Sequence, residues 1–340
     1  MIKVAVLGVG RWGVHFVRNL LQHPQAELVA VVDSHPDSLS SCQQRFDLDP
    51  DRILFTTHWQ QLKDIQLDGV VVATPATTHY PIIKEALLSG YHVLAEKPLT
   101  LDPAECLELC DLATSKNLQL LVDHTYLFNA AVTKGKEVVK DIGTLRYGYA
   151  TRTHLSPVRQ DVNALWDLAI HDIAIFNYWL QDTPVKVQAR GQTWLQPNNT
   201  MPIASKPGLA DTVWATLHYK SGFQATIHLS WLNPDKQRRL CMVGEKGTLV
   251  FNEMQLEKPL TIQQGYFTKK GDRFIPQGIQ EKTIEVVKNE PLKQVCDRFI
   301  SNIINKAQDD FSSAKVGADL VTVLRGLTTS LEQDSVIVEL

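Results

Sequence analysis

Short apolar runs alternate with amphipathic segments along the first third of the chain. The runs predict buried strands over 2–7, 27–32, 53–56, 69–74, 91–95 and 118–123. Apolar positions at helical spacing between them predict helices over 13–22, 37–46, 77–89 and 103–116, with a short crossover near 58–64. This alternation is typical of a parallel, doubly wound α/β sheet, which we predict for residues 1–123.

The pattern changes after residue 123. Helices are predicted over 129–140, 164–180, 290–305 and 312–332. Period-two alternation and short apolar runs predict strands over 143–153, 184–194, 211–219, 223–232, 238–243, 247–252 and 335–339. We therefore assign residues 124–340 to a second, α+β domain with a mainly antiparallel sheet that is covered on one face by at least one helix.

Composition limits the possible partners. The chain has 340 residues, enough for two domains, with 34 Lys and Arg against 37 Asp and Glu and a net charge of −3. This balance predicts no nucleic-acid partner and no membrane partner. The first strand begins near the N-terminus, which leaves no room for a signal peptide, and the five cysteines lack the spacing of a zinc site. We expect a cytoplasmic protein with reduced thiols and no metal.

A glycine-rich turn joins the first strand to the first helix. Gly8, Gly10 and Gly13 form a Gly-x-Gly-x-x-Gly pattern, with Arg11 and Trp12 before the last glycine. In this pattern the first glycine makes the turn, the second admits a pyrophosphate, and the third lets helix and strand pack closely. We interpret the turn as the phosphate site of a dinucleotide-binding Rossmann domain; a purely structural glycine turn is the alternative.

Asp33 follows the second strand, 20 residues after Gly13. An acid at this spacing accepts a hydrogen bond from the adenosine ribose of NAD and repels the 2′-phosphate of NADP. The next residues, 34–36, include no arginine that would bind this phosphate. We therefore predict NAD as the cofactor, with NADP less favoured; the alternative is that Asp33 only caps the following helix.

The segment after the fourth strand is a second candidate contact with the cofactor. Backbone around Thr74 can line the nicotinamide, and Pro75 shapes the turn. His79 opens the next helix, where it can approach the cofactor or simply pack.

Glu96 and Lys97 stand at the carboxyl end of the fifth strand. Pro98 restricts Lys97 to an extended conformation, which holds the lysine at the edge of the sheet. A lysine there can donate a hydrogen bond to a substrate hydroxyl, whereas a lone lysine is more often a solvated surface residue.

The predicted long helix of the second domain carries Asp167 and His171, four residues apart and therefore on one face. A carboxylate beside an imidazole suits proton transfer near neutral pH. The alternative is a helix-surface ion pair of little energetic value. Asp172 points about 100° away from His171, and we interpret it as structural.

Together these segments resemble the glucose–fructose oxidoreductase/inositol dehydrogenase/rhizopine-catabolism (Gfo/Idh/MocA) family. The resemblance rests on GxGRWG, TPAxTH, EKP and D-x-x-x-H-D, and it covers nearly the whole chain. It implies NAD(P)-dependent hydride transfer at a carbinol carbon of a sugar or polyol, and a second domain whose large open sheet mediates oligomers. It also implies that Lys97, Asp167 and His171 form the catalytic set.

Within this family, the residues from Arg159 to Asp172 are most similar to the branch that oxidises sugar nucleotides. Arg159 and Asn163 can bind a charged or amide-bearing sugar, or can instead order the loop 154–163. Tyr126 can line the same cleft or pack in the core.

We therefore predict an NAD-dependent dehydrogenase or reductase of a sugar, polyol or sugar nucleotide. His171 is the expected base, Lys97 binds the reacting oxygen, and Asp167 orients substrate and imidazole; Lys97 and His171 can exchange roles. We expect all three to converge beside the nicotinamide. Apolar residues on the outer face of the second-domain sheet predict a homodimer or homotetramer. The alternative function is a non-catalytic NAD(P)-binding sensor, against which the joint presence of these three residues argues.

Overall fold

The computed structural model describes residues 1–155, 157–307 and 311–340. The chain folds into two compact units. One unit comprises Met1–Phe128 and Glu290–Val321, and the other comprises Asn129–Asn289 and Thr322–Leu340. In the part of the chain that the structure describes, no helix has the length and hydropathy needed to cross a bilayer.

The first unit contains a six-stranded parallel sheet. Its strands are β1 (Ile2–Leu7), β2 (Ala26–Val32), β3 (Leu54–Thr56), β4 (Gly69–Val72), β5 (His92–Glu96) and β6 (Leu120–Asp123), in the order β3-β2-β1-β4-β5-β6. The helices between them are α1 (Gly13–Gln22), α2 (Pro36–Phe46), α3 (His79–Leu88) and α4 (Pro103–Ser115). The predicted doubly wound sheet is confirmed. Its strand order reverses between β1 and β4, where such sheets bind ligands beyond the carboxyl ends of the strands.

The second unit contains a nine-stranded sheet. Two helices come early in it, α5 (Ala130–Val138) and α6 (Ile170–Leu180), and the strand β7 (Leu145–Leu155) lies between them. The other strands are β8 (Pro184–Gln192), β9 (Thr212–Tyr219), β10 (Gln224–Ser230), β11 (Leu232–Gly244), β12 (Gly247–Asn252), β13 (Leu260–Lys270), β14 (Arg273–Thr283) and β15 (Val338–Glu339). Their order is β14-β13-β12-β11-β7-β10-β9-β8-β15, and β10 with β7 is the parallel pair. The predicted mainly antiparallel sheet is confirmed.

The last two helices are α7 (Pro291–Asn305) and α8 (Ala314–Glu332). The prediction assigned residues 290–321 to the second domain, whereas in the structure they belong to the first unit. The reason is the buried face of α7, which includes Val295 and Phe299. The ring of Phe299 lies so close to Gly69 of β4 that a Cβ at this glycine would be 3.1 Å from it. This apolar face completes the core of the parallel sheet.

One face of the nine-stranded sheet is covered by α6 and the second half of α8. The ring of Phe176 from α6 lies against Gly148 of β7, and the Ser330 hydroxyl of α8 accepts a hydrogen bond from the backbone N–H of Ala189, at 2.9 Å. The opposite face carries Trp214, which is 48% exposed and stacks on His228 with ring centroids 5.1 Å apart. The sheet therefore has one packed and one open face.

Candidate active site

The glycine-rich turn has one open position between two tightly packed ones. Gly8 has a φ of +87°, and a Cβ there would lie 2.6 Å from the carbonyl oxygen of Ala73. A Cβ on Gly13 would lie 1.8 Å from the carbonyl oxygen of Gly8. A Cβ on Gly10 would meet nothing within 4 Å. The turn therefore leaves space at its second glycine, immediately before α1, where a pyrophosphate would be held by backbone N–H groups.

Asp33 holds this turn in place. Its Oδ2 accepts a hydrogen bond from the backbone N–H of Val9 at 2.9 Å, and its Oδ1 accepts one from the backbone N–H of His35 at 2.9 Å. A carboxylate has about four lone-pair positions, so two backbone donors leave capacity for a ribose hydroxyl. Trp12, whose ring is about half exposed, packs edge-on against His15, with the ring centroids 5.7 Å apart. Arg11 is also exposed in this turn.

His79 connects the loops that follow β4 and β5. The residue is only 1% exposed. Its Nδ1 lies 2.9 Å from the carbonyl oxygen of Pro98, and its Nε2 lies 2.9 Å from the carbonyl oxygen of Thr74. Of the two roles that the sequence left open for His79, the structure therefore supports packing. It fixes the Thr74–Pro75 backbone relative to the turn that contains the cis Lys97–Pro98 peptide.

Buried ionisable groups surround the start of that turn. Glu96 and Asp123 are the last residues of β5 and β6 and pair in register. Burial raises the pKa of Asp123 well above its usual range, Glu96 raises it further, and the nearby Thr125 hydroxyl and Lys97 ammonium act in the opposite direction. The sequence interpretation missed Asp123, although an acid at the end of β6 beside Glu96 was a usable signal.

In the second unit, Asp167 lies on a π-helical turn, Leu165–Ala169, directly before α6. Turns of this kind often occur at functional sites. The indole Nε1 of Trp231 donates a hydrogen bond to Oδ2 of Asp167 at 3.1 Å, and Nη1 of Arg159 lies 3.7 Å from Oδ1. His171 follows in the first turn of α6 and is partly exposed. The carboxylate thus has a fixed orientation one helical turn before the imidazole.

Asp172 faces the interior. Its two carboxylate oxygens accept hydrogen bonds from Nε and Nη2 of Arg152 at 2.8 and 3.0 Å, and both side chains are buried. This bidentate pair ties α6 to β7 and supports the structural interpretation of Asp172.

His154 is a second residue that the sequence interpretation missed. It is buried on β7, and its Nδ1 has no hydrogen-bond partner among the residues that the structure describes. Burial lowers its pKa, Arg238 lowers it further, and Asp167 acts in the opposite direction. A neutral imidazole with a spare ring nitrogen therefore lies near Asp167. His154 was predicted to lie in the 154–163 loop, whereas in the structure it lies on β7, and its burial depends on the tertiary fold.

The three predicted substrate residues differ in their surroundings. Oδ1 of Asn163 accepts a hydrogen bond from the backbone N–H of Trp166 at 3.2 Å, so its side chain caps the start of the helical segment. Arg159 donates from Nε to Asp161 at 2.9 Å, and this contact lowers the pKa of Asp161. Tyr126 lies in a 3₁₀ turn after β6 in the first unit. Residue 156 of the predicted 154–163 loop lies outside the described residues.

The first unit has the features of the NAD(P)-binding Rossmann class: a doubly wound sheet, an open position in the glycine-rich turn and an acid after β2. Comparison with known families agrees. Residues 2–124 match the "Oxidoreductase family, NAD-binding Rossmann fold", and residues 140–250 match the "GFO/IDH/MocA C-terminal domain". The protein belongs to the GFO/IDH/MocA family of oxidoreductases.

Several relatives are similar over most of the chain. An uncharacterized oxidoreductase of Synechocystis sp. is 31% identical over 279 residues, 75% of this chain and 73% of the relative. UDP-N-acetylglucosamine 3-dehydrogenase of Acidithiobacillus ferrooxidans is 27% identical over 242 residues, 70% of this chain and 71% of that protein. An inositol dehydrogenase homolog of Azotobacter vinelandii, solved with NADH and myo-inositol, is 18% identical with a TM-score of 0.81, covering 100% of this chain and 97% of that one. The last likeness is one of fold.

Proposed function

We propose that the protein is an NAD-dependent dehydrogenase or reductase that acts on a secondary alcohol or ketone carbon of a sugar nucleotide. The observation that carries this proposal is the Asp167 carboxylate, fixed by Trp231 on a π-helical turn directly before His171. An oriented carboxylate that precedes an imidazole by one helical turn is suited to general acid–base catalysis. A sensor that only binds the cofactor has no need of it.

The chain's own residues fit the cofactor. The space at Gly10 admits the pyrophosphate, Asp33 retains capacity for the ribose, and the Thr74–Pro75 backbone that His79 fixes would line the nicotinamide side. When bound, the cofactor supplies the hydride acceptor or donor. We expect NAD rather than NADP, because a 2′-phosphate would meet the negative charge of Asp33.

The protein residues would manage the proton. In the oxidation direction, His171 takes the proton of the substrate hydroxyl, and Lys97 donates a hydrogen bond to the same oxygen as negative charge develops on it. Asp167 orients substrate and imidazole. Lys97 and His171 can exchange roles, because each can hold a proton at that oxygen.

Sugar nucleotides are the favoured substrate class. The relative from Acidithiobacillus ferrooxidans bears the name of a sugar-nucleotide dehydrogenase, and other relatives are named myo-inositol and scyllo-inositol 2-dehydrogenases. Arg159 supplies a guanidinium 3.7 Å from Asp167, which suits a charged or amide-bearing substrate. We assign Arg159 and Tyr126 to substrate contacts, and Asn163 to the start of the helical segment that presents Asp167.

A substrate panel tests this proposal. Purified protein is mixed with NAD⁺ or NADP⁺ and with UDP-N-acetylglucosamine, UDP-glucose, myo-inositol, scyllo-inositol or glucose, and NADH or NADPH formation is followed by absorbance. The His171→Gln variant is the matched control. We expect turnover with a UDP-sugar and NAD⁺ to exceed turnover with inositols. Tight NAD binding without turnover of any of these compounds would favour a non-catalytic sensor. Faster turnover of an inositol than of a UDP-sugar would contradict the assignment of sugar nucleotides as the substrate class.

A further inference from the structure

Two buried carboxyl groups stand side by side where β5 and β6 end. Glu96 and Asp123 pair in register on neighbouring parallel strands, which run about 4.8 Å apart. Register partners of parallel strands direct their side chains to the same side of the sheet. Glu96 is 8% exposed and Asp123 is 1% exposed. The two carboxyl groups are therefore close neighbours largely shielded from water.

Asp123 lacks the contacts that an ionised carboxylate requires. Among the described residues, neither of its oxygens meets a donor in full hydrogen-bond geometry, and the Thr125 hydroxyl is the polar group that comes near. An ion buried without such partners is costly, and two adjacent carboxylates cannot both ionise without strong repulsion. Both effects favour a proton on Asp123, in agreement with the raised pKa of this group.

Among the residues that the structure describes, the other titratable groups around Asp123 are Lys97, His124 and Cys296. Burial, and then the charge of Lys97, lowers the pKa of His124 to about 3, so that imidazole is neutral. Burial raises the pKa of the Cys296 thiol on α7, so that thiol is neutral as well. Of these described groups, Lys97 is the cation that acts on the pair.

We propose that Asp123 is held in its neutral, protonated form beside an ionised Glu96, so that Lys97 faces a carboxyl pair with a single negative charge. One negative charge attracts the ammonium of Lys97 and fixes its position. A second charge would draw the ammonium away from a substrate oxygen. Asp123 is thus a positioning residue for Lys97. The effect of Asp123 on catalysis rests on the proposed function, whereas the protonation of Asp123 is independent of it.

Infrared spectroscopy tests the protonation directly. Wild-type protein grown with ¹³C-carboxyl aspartate should show the carbonyl stretch of a protonated aspartic acid at neutral pH, and Asp123→Asn should lack it. Absence of this band from the labelled wild type at neutral pH would overturn the proposal. Because the labelled wild type gives the decisive spectrum, the test does not depend on the folding of any variant.

Stability against pH gives a second, independent test. If the folded-state pKa of Asp123 lies above its unfolded value, the wild type loses stability as pH rises from about 3.9 towards the folded value, because the unfolded chain releases the proton first. Below that window Asp123→Asn and wild type should be equally stable. Within this window, the folded-to-unfolded ratio of the wild type should fall about tenfold per pH unit relative to that of the variant. A pH-independent difference in urea unfolding would contradict the proposal.

Turnover tests the positioning role. Glu96→Gln removes the single charge that attracts the Lys97 ammonium, so kcat should fall. Asp123→Asn mimics the neutral acid, so its loss of kcat should be at least tenfold smaller than that of Glu96→Gln. Glu96→Asp keeps the charge and should restore kcat. Equal losses in Glu96→Gln and Asp123→Asn would overturn the role. An inactive wild type would instead defeat the proposed function and leave the spectra to decide the protonation.

Discussion

Asp33 has a structural role, and we propose a binding role for the same carboxylate. Its hydrogen bond from the Val9 backbone fixes the glycine-rich turn, and its position after β2 is the one from which an acid binds the adenosine ribose in dinucleotide-binding domains. The two roles can be separated, since the first needs an acceptor oxygen and the second depends on charge.

Asp33→Asn should therefore keep the fold and change cofactor selectivity. The amide oxygen can still accept from the Val9 backbone, although the amide NH₂ cannot accept from the His35 backbone. The loss of the charge should weaken NAD binding about tenfold and reduce the preference for NAD over NADP. Calorimetric titration with NADH and NADPH measures both, with the exposed Asp51→Asn as control. Wild-type protein that binds NADPH more tightly than NADH would contradict this account of Asp33.

At the residue level, the sequence predicted what depends on local spacing. Gly10 and Asp33 were recognisable because the motif places them a fixed number of residues apart along one strand–turn–helix unit. His154 was not, because its burial is created by segments distant in the chain. Asp123 ends the predicted strand 118–123 and could have been noticed, but its pairing with Glu96 is visible only in the sheet. Asn163 was left open between substrate and structure, and only the contact with the Trp166 backbone shows that its side chain caps a helix.

At the level of elements, the strands and helices of the parallel sheet were predicted to within a few residues, because each buries a clear apolar pattern. The hairpin of β13 and β14 was missed. Beyond Ile262 this hairpin is rich in Gln, Lys and Thr and is exposed along most of its length, so it offers no apolar periodicity. The π-helical turn was also missed, since its sequence continues the helical pattern of α6.

The open face of the nine-stranded sheet should form a subunit interface. Alternation on β9 buries Val213 and Ala215 and leaves Trp214 exposed, and Tyr147 on β7 is also half exposed. Aromatic groups exposed on a broad sheet usually mark an interface. Light scattering at micromolar concentration should therefore give at least twice the mass of one chain.

Trp214→Lys should shift this assembly towards single chains. Leu107→Lys is the matched control, because Leu107 is 50% exposed but lies on α4 in the first unit. A wild-type protein that is only monomeric, or equal effects of the two substitutions, would contradict an interface on this face.

In the molecule as a whole, the residues of the proposed mechanism come from both units. The first carries the glycine-rich turn, Asp33 and Lys97, and the second carries Asp167 and His171. Cofactor affinity should therefore depend on the first unit alone, while turnover should need residues of both.

Turnover and NAD binding of His171→Ala, with His218→Ala as the control, test the assignment of His171 as the base. We predict unchanged NAD affinity and a kcat lowered by about 10²–10⁴, the usual contribution of a positioned base. Adding Lys97→Ala should cost less than the product of the single losses, because groups that act on one oxygen are not additive. Normal turnover by His171→Ala would contradict the mechanism.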